Sequence, residues 1–206
     1  MYGLPQSTIV KKRQLPKSKV FEKFDLKPSQ RESFDADISR IDVVAVVSPA
    51  TIPAIAKSEN ILGIYVLAVQ LKRKEYDAKN ITLLSRFIPN KVVFALHFEE
   101  QVQFAINHTR LITSKWQLLT PNSSFLILQG LTLDSVWDNI VISIGDIHIE
   151  GENTLSEQIK IEDVRAKLKA QITTLTQKLN KEKQFNRQIE INAEIKALRK
   201  QLLNLK

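Results

Sequence analysis

The sequence predicts a mixed α/β (α+β) protein, with a mixed-sheet globular domain over residues 1–150 and an antiparallel helical hairpin of coiled-coil type over 157–206. In the first 150 residues, short β-branched runs alternate with segments of helical periodicity, as in layered α/β domains. All five glycines and all seven prolines lie at or before Gly151, so the rest of the chain contains no helix breaker. This single change of composition marks the expected domain boundary.

The N-terminal part predicts an extended basic arm followed by two helices. Two prolines and a cluster of three basic residues occur before a short helix expected near 17–24. Ser29 and Glu32 have the spacing of a capping box, and apolar residues at 34, 38 and 41 extend the predicted helix over 29–40. The β-branched run 43–47, ended by Pro49, predicts a short strand.

The middle of the chain alternates between strand and helix signals. The predicted elements are a buried strand at 61–72, a helix at 77–88, a hairpin of strands at 91–98 and 101–107, strands at about 110–119 and 124–129, and a helix at 133–144. The hairpin turn, Glu99–Glu100, lacks the glycine or asparagine that tight turns favour.

Two apolar stripes with spacings of three and four residues characterise the C-terminal segment. Their members are Ile161, Val164, Leu168, Ile172, Leu175 and Leu179, and then Ile191, Ile195, Leu198, Leu202 and Leu205. The polar segment between them predicts a hairpin tip near 181–187. One continuous helix of 46 residues, about 70 Å long at 1.5 Å per residue and able to form a homodimer, is the alternative.

The formal charge of +8 is unevenly distributed. Residues 1–40 carry nine basic and five acidic side chains, residues 41–159 carry nine and twelve, and residues 160–206 carry twelve and five. Basic ends favour contact with nucleic acid or with an acidic partner. The candidate nucleic-acid contacts are Lys11, Lys12, Arg13, Lys72, Arg73, Lys74, Lys178, Lys181, Lys183 and Arg187. A solvated lysine-rich helix face is the plainer interpretation. Phe185, among the tip cations, either stacks on a base or packs inside the turn, and packing is favoured.

The sequence lacks the residues that several kinds of catalytic, metal and cofactor site require. Without cysteine there are no disulfides, thiolate metal sites or cysteine nucleophiles. His97, His108 and His148 have no partner at metal-ligand spacing, and five scattered glycines form no phosphate-binding loop. We therefore expect no metal and no cofactor. The longest apolar run, 61–69, is too short to span a membrane, and no signal peptide is evident, so a cytoplasmic location is expected.

One segment requires comparison with metal-dependent nucleases. Gln70, Leu71 and Lys72 end a predicted strand, where some nucleases carry Glu-x-Lys or Gln-x-Lys paired with an aspartate on a neighbouring strand. Asp42 and Glu59 are the nearby acidic candidates, and an amide in place of a carboxylate weakens a Mg²⁺ site. A basic strand end entering a loop is the favoured interpretation.

Several short motifs, in order along the chain, resemble the bacterial family called domain of unknown function 4391. The residues that carry the resemblance are Tyr2, Gly3, Leu4, Pro5, Ser7, Thr8, Lys12, Arg13, Pro16, Lys17, Lys19, Phe21, Ser48, Pro49, Thr51, Ile52, Gln70, Leu71, Lys72, Ile88, Pro89, Gly130, Leu131, Leu133, Asp134, Asp138, Asn139, 181–186, Glu190 and Asn192. The family pattern has Glu where Gln70 stands. The resemblance implies a bacterial or archaeal cytoplasmic protein encoded near helicase and DNA-methyltransferase genes of restriction or defence loci.

These observations predict a non-enzymatic accessory or adaptor protein that binds a protein partner or nucleic acid. A helicase or methyltransferase is the partner that the resemblance implies. A metal-dependent nuclease-like domain without activity and a purely structural coiled-coil adaptor are the alternatives.

Overall fold

The structure, a computed structural model, describes residues 1–120 and 123–205, with the backbone alone at Lys12. It divides into two compact units, Met1–Ile147 and a second that begins at His148. The first is a mixed α/β unit and the second is a pair of helices, so the predicted fold class is confirmed.

The first unit contains seven strands and four α-helices within its described residues, after a short 3-10 turn at Gln6–Thr8. In chain order they are β1 (Ile9–Gln14), α1 (Lys17–Lys23), α2 (Pro28–Asp37), β2 (Ile38–Val47), β3 (Ile64–Leu71), α3 (Ala78–Ser85), β4 (Lys91–Phe98), β5 (Gln101–Asn107), β6 (Leu111–Thr113), β7 (Gln117–Leu118) and α4 (Leu133–Gly145).

The strands form one mixed sheet in the order β1-β2-β3-β4-β5-β6, with β7 paired to β5. Only β3 and β4 are parallel among the described pairs, and α3 provides the crossover between them. The predicted hairpin of β4 and β5 is confirmed at its predicted limits. Glu99 takes a left-handed backbone conformation, with φ of 50°, and so performs the turn without glycine.

Three expectations for this unit are wrong. The predicted helix over 29–40 ends at Asp37, and strand β2 begins at Ile38, well before the predicted 43–47. Ile38 and Ile41 keep helical spacing with Phe34, yet pairing with β3 buries both in the sheet. Residues 124–129 form no strand. The basic arm is extended, as expected, and contains strand β1 at the sheet edge.

Helices α1, α2 and α3 pack on one face of the sheet. Alternation along β3 places Leu67, Val69 and Leu71 on that face and Ala68 and Gln70 on the other. The buried cluster on the helical face consists of Val20, Phe34, Ile38, Ile41, Leu67, Val69, Leu71, Ile81, Leu84, Val92, Phe94, Leu96 and Ala105. This apolar layer stabilises the unit, because burial of such side chains contributes about 1.5–3 kcal/mol each.

A buried carboxylate connects α2, β3 and α3. The Asp37 side chain has no solvent exposure, and it accepts hydrogen bonds from the Arg73 guanidinium, the Asp77 amide and Asn80 Nδ2. Burial by itself raises the pKa of Asp37, but these hydrogen bonds and the charge of Arg73 outweigh it, so the pKa lies below its ordinary value. Arg73 therefore has a structural role in this unit.

The second unit is an antiparallel helical hairpin, built from α5 (Leu155–Lys181) and α6 (Phe185–Asn204). A capping box begins α5, because Thr154 Oγ1 accepts from the Glu157 amide while Glu157 Oε2 accepts from the Thr154 amide. Ile195 and Leu168 are the buried members of the two stripes, and most other members are half-buried.

The turn between α5 and α6 is formed by Glu182, Lys183 and Gln184 without glycine or proline. Glu182 Oε1 accepts from the amides of Lys183 and Gln184, at 2.8 and 2.9 Å, and the Glu182 carbonyl accepts from Gln188 Nε2. The φ angles at Glu182 and Gln184 are negative, so neither residue takes the left-handed conformation that favours glycine. The Glu182 side chain therefore satisfies two amides of the turn, and the predicted tip near 181–187 is confirmed.

The open end of the hairpin is closed by Arg165. Its guanidinium donates to both carboxylate oxygens of Glu150, at 2.6 and 2.7 Å, and to the Leu205 carbonyl. Within the part of the chain that the structure describes, no helix combines the length and apolar character needed to cross a membrane.

Candidate functional site

Two regions bring candidate functional residues together, a cavity on the sheet of the first unit and the tip of the helical hairpin. The cavity, here called the Arg40 cavity, has a volume of about 690 Å³. Its lining residues are Met1, Tyr2, Arg40, Asp42, Ala68, Gln70, His97, Leu119, Thr120 and Ser123.

The register of three adjacent strands places polar side chains side by side in the cavity. Arg40 on β2 pairs with Gln70 on β3, and Gln70 pairs in turn with His97 on β4. Arg40 and Gln70 are exposed, although Val69 and Leu71, on either side of Gln70, are buried. The row lies where the parallel strands β3 and β4 end, which is the common position for ligand sites in open α/β sheets.

Arg40 is held in place by Asp42. Its Nε donates to both carboxylate oxygens, at 3.0 and 2.8 Å, and the aspartate is nearly buried. Because both contacts use Nε, the two terminal amino groups have no acceptor among the residues that the structure describes. The guanidinium is thus positioned by a neighbouring carboxylate, with donors left for a ligand.

Tyr2 forms the opposite part of the lining. Its hydroxyl lies 2.6 Å from His97 Nε2, and its ring packs edge-on against Phe104 at 5.4 Å between centroids. Burial raises the pKa of the Tyr2 phenol, which therefore stays protonated. The backbone φ of 55° is strained for a tyrosine and places a buried aromatic ring at the cavity.

The structure supplies the neighbouring aspartate that the nuclease hypothesis required. Asp42 lies opposite Ala68, on the strand adjacent to Gln70, whereas Glu59 does not line the cavity. The donor set nevertheless does not fit Mg²⁺, which favours charged oxygen ligands. The cavity offers one carboxylate, already bound by Arg40, and an amide where a second carboxylate would stand. No group of three metal-ligating side chains occurs within the described part of the chain.

The predicted basic cluster at 72–74 is largely engaged in contacts within its own unit. Lys72 is exposed, but Arg73 binds the buried Asp37. Lys74 Nζ donates to Gln101 Oε1 at 2.7 Å and lies 5.5 Å from the Trp116 ring centroid. Such contacts restrain two of the three cations that the sequence suggested for nucleic-acid binding.

The N-terminal basic cluster belongs to the edge strand β1, where the side chains of Lys11 and Arg13 are exposed. For Lys12 only the backbone is described. Charged side chains on an edge strand also hinder pairing with another sheet, so the exposure of Lys11 and Arg13 has a structural explanation.

At the hairpin tip, four candidate cations are exposed around the turn: Lys178, Lys181, Lys183 and Arg187. Arg187 makes one long contact, 3.9 Å from Glu182 Oε2. The pKa of Glu182 lies below its ordinary value because its carboxylate accepts from the Gln184 and Lys183 amides. Glu182, the carboxylate of the turn, is therefore occupied by these two backbone amides.

Phe185 does not pack inside the turn, and that expectation is wrong. Its side chain is 73% exposed, and Ile189, one helical turn further along α6, is 53% exposed. The spacing of four residues places both on one face of the helix. Sequence periodicity did not reveal this pair, because the residues lie between the two stripes and outside both of them.

The fold and the two regions define a mixed α/β protein with a basic C-terminal helical hairpin and a polar cavity at the ends of its parallel strands. The chain belongs to the family described as Domain of unknown function (DUF4391), whose sequence profile matches residues 2–202. This match confirms the resemblance carried by the short motifs. Comparisons with curated proteins and with solved structures give no match.

Proposed function

We propose that this protein is a non-enzymatic accessory protein that binds nucleic acid through the hairpin tip. The observation that carries the proposal is the exposure of Phe185 and Ile189 among Lys178, Lys181, Lys183 and Arg187. Isolated apolar side chains are ordinary on a surface, but an aromatic ring within a ring of cations has the composition of a single-strand binding surface.

The cations supply attraction to the phosphate backbone. Residues 160–206 hold twelve basic and five acidic side chains, so this part of the chain carries most of the excess positive charge. Each phosphate that a lysine or arginine neutralises releases counterions, and binding through such contacts weakens as salt concentration rises. The contacts are to backbone, so we expect little sequence preference.

Phe185 supplies a surface for an unstacked base. Stacking of one base on an aromatic side chain contributes about 1–3 kcal/mol. Because bases in a duplex are already stacked, Phe185 favours single strands, whereas the cations serve both forms. We therefore expect tighter binding to single-stranded than to duplex oligonucleotides of equal length.

The Arg40 cavity supports the accessory role, because its lining residues include a single carboxylate, which is bound to an arginine. We place the protein in the cytoplasm, and the association implied by the family resemblance makes a helicase or methyltransferase the expected protein partner. We also propose that the half-buried apolar stripes of α5 and α6 pack as a coiled coil, either with each other within one chain or between two chains of a homodimer.

Fluorescence anisotropy on labelled oligonucleotides tests the proposal. The triple variant K181A/K183A/R187A should lower the log–log salt slope for duplex by about 2.7 units if all three cations contact phosphates. A matched control removes two lysines and one arginine far from the tip, in the triple variant K196A/R199A/K200A, and should leave the slope nearly unchanged. Phe185→Ala should weaken single-strand binding about 5- to 150-fold, corresponding to one stacked base.

The alternatives predict different results. Undetectable binding of the wild type at low salt would reject nucleic acid and leave a protein-binding adaptor. Equal losses in both triple variants would show a diffuse charge effect instead of a tip site. Light scattering on the same samples reports whether the stripes support a homodimer.

A further inference from the structure

We propose that the Arg40 cavity binds a single unpaired nucleobase, presented either by a free nucleoside or by a single strand. The inference goes beyond the proposed role of the hairpin tip. It depends on residues of the first unit alone, so either proposal can fail without the other.

The position and size of the cavity suit a small organic ligand. It lies at the carboxyl ends of the parallel strands β3 and β4, where open α/β sheets commonly bind ligands. Its volume of about 690 Å³ is within the range of small-molecule sites, about 300–1,000 Å³.

The hydrogen-bonding groups match the edge of a base better than they match a simple anion. Gln70 presents an amide, whose Nε2 makes only a long contact of 3.4 Å with the His97 carbonyl and whose Oε1 accepts nothing from the described residues. Arg40 presents donors, and a glutamine amide matches a base edge that has one donor and one acceptor. The two residues are direct neighbours across β2 and β3.

The charge balance of the cavity disfavours a phosphate. Arg40 and His97 are the basic side chains among the described lining residues, and the carboxylate of Asp42 offsets the charge of Arg40 at 2.8 Å. A phosphate placed beside Arg40 would also meet this carboxylate. A neutral ligand with several donors and acceptors avoids that repulsion, and nucleobases are such ligands.

An aromatic side chain is built into the lining. Tyr2 is buried, and contacts with His97 and Phe104 restrain its ring. Enzymes and binding proteins that accept an extruded base combine hydrogen bonds to its edge with aromatic contacts to its faces. The backbone at Tyr2 takes a φ of 55°, which is unusual for a tyrosine, at the position where its side chain lines the cavity.

The test is titration of the full chain with adenosine, guanosine, cytidine and uridine, followed by isothermal calorimetry and ligand-observed NMR. Ribose and ribose 5-phosphate are the ligand controls. Gln70→Ala should weaken nucleoside binding by at least about fivefold, the lower end for loss of a bidentate amide–base pair. Gln70→Glu keeps the size but removes the amide donor, and should change the rank order of the four nucleosides. Gln129→Ala, an exposed amide that does not line the cavity, should change neither.

Two oligonucleotides distinguish the sources of the base. A short single strand is compared with an abasic strand of equal length, both on the K181A/K183A/F185A/R187A variant, which lacks the tip cations and the exposed tip ring. Preference for the base-containing strand assigns the cavity to single strands, whereas saturation by nucleosides with no such preference assigns it to free nucleosides.

Three results would overturn the proposal. They are the absence of nucleoside binding at millimolar concentration, ribose 5-phosphate binding as tightly as the nucleosides, and unchanged binding in both folded Gln70 variants. Circular dichroism establishes that each variant is folded. The second Gln70 variant keeps the experiment decisive if the first does not fold.

Discussion

Replacing Asp37 by alanine is expected to destabilise the first unit strongly. The carboxylate is fully buried and accepts three close contacts, at 2.6 Å from Arg73 Nε and 2.7 Å each from the Asp77 amide and Asn80 Nδ2. Its removal leaves the buried Asn80 amide with only its longer hydrogen bond to the Ser33 carbonyl, at 3.3 Å, and leaves Arg73 without its counterion. Breaking a buried ion pair by removal of one partner costs about 3–5 kcal/mol. Arg73 is half-exposed and regains water, which favours the lower half of that range.

The measurement is thermal unfolding followed by circular dichroism. For a chain of this length, each kcal/mol lowers the melting temperature by about 2–4 °C, so a loss of 3–4 kcal/mol corresponds to roughly 6–16 °C. The matched control is Asp35→Ala on the same helix. Asp35 pairs with Lys17 but is about half-exposed, and removal of such a surface pair costs about 1 kcal/mol or less.

The same carboxylate predicts the pH dependence of stability. The pKa of Asp37 in the folded state lies below the ordinary 3.8. A depressed pKa contributes stability that is complete above the unfolded value and is lost as pH falls through the folded value. The difference in stability between wild type and Asp37→Asn should therefore be constant near neutral pH and shrink below about pH 4. Equal destabilisation by Asp37→Ala and Asp35→Ala, or a difference that grows in acid, would refute the reasoning.

Two further predictions follow from the cavity and the hairpin. Incubation with plasmid and single-stranded DNA in Mg²⁺ or Mn²⁺ should give no cleavage, because Gln70 replaces a carboxylate and Asp42 is bound by Arg40; cleavage that disappears in Lys72→Ala would contradict this. Spin labels at Gln171 and Arg199 should report a short distance in the monomer, because α5 and α6 are antiparallel; about 42 Å, the length of 28 residues at 1.5 Å each, would indicate one continuous helix.

The sequence correctly predicted those elements whose own residues show a clear alternation or helical periodicity. Strands β4 and β5 alternate clearly, and their predicted limits match the structure. The hairpin tip was predicted because the apolar stripes stop on both sides of it. The turn lacks glycine and proline, and the structure explains this through Glu182, whose side chain accepts hydrogen bonds from the turn amides of Lys183 and Gln184, just before α6.

Prediction failed where pairing with a distant segment decides the outcome. Phe34, Ile38 and Ile41 have helical spacing, yet hydrogen bonds to β3 convert the last two to strand. The residues 124–129 are apolar enough for a strand, but Phe125 and Leu126 instead donate their amides to the Tyr2 carbonyl. Spacing within a short window contains no information about either partner.

The candidate sites divide in the same way. The sequence identified the tip cations, since charge is a property of composition. It also selected Gln70, Leu71 and Lys72, but it could not decide whether Asp42 or Glu59 was the neighbouring acid. Register across β2 and β3 answers that question, and the ion pair with Arg40 shows that Asp42 is already occupied.

The sequence by itself determined the mixed α/β class, the C-terminal helical hairpin and the family, because these depend on periodicity, composition and the order of short motifs. Tertiary structure alone decided which side chains meet and which remain exposed. Arg73 joins an aspartate 36 residues earlier, Tyr2 meets His97 across 95 residues, and Phe185 is left in solvent. Each outcome depends on the pairing of strands or the closure of a turn, and therefore on contacts between segments that no local pattern encodes.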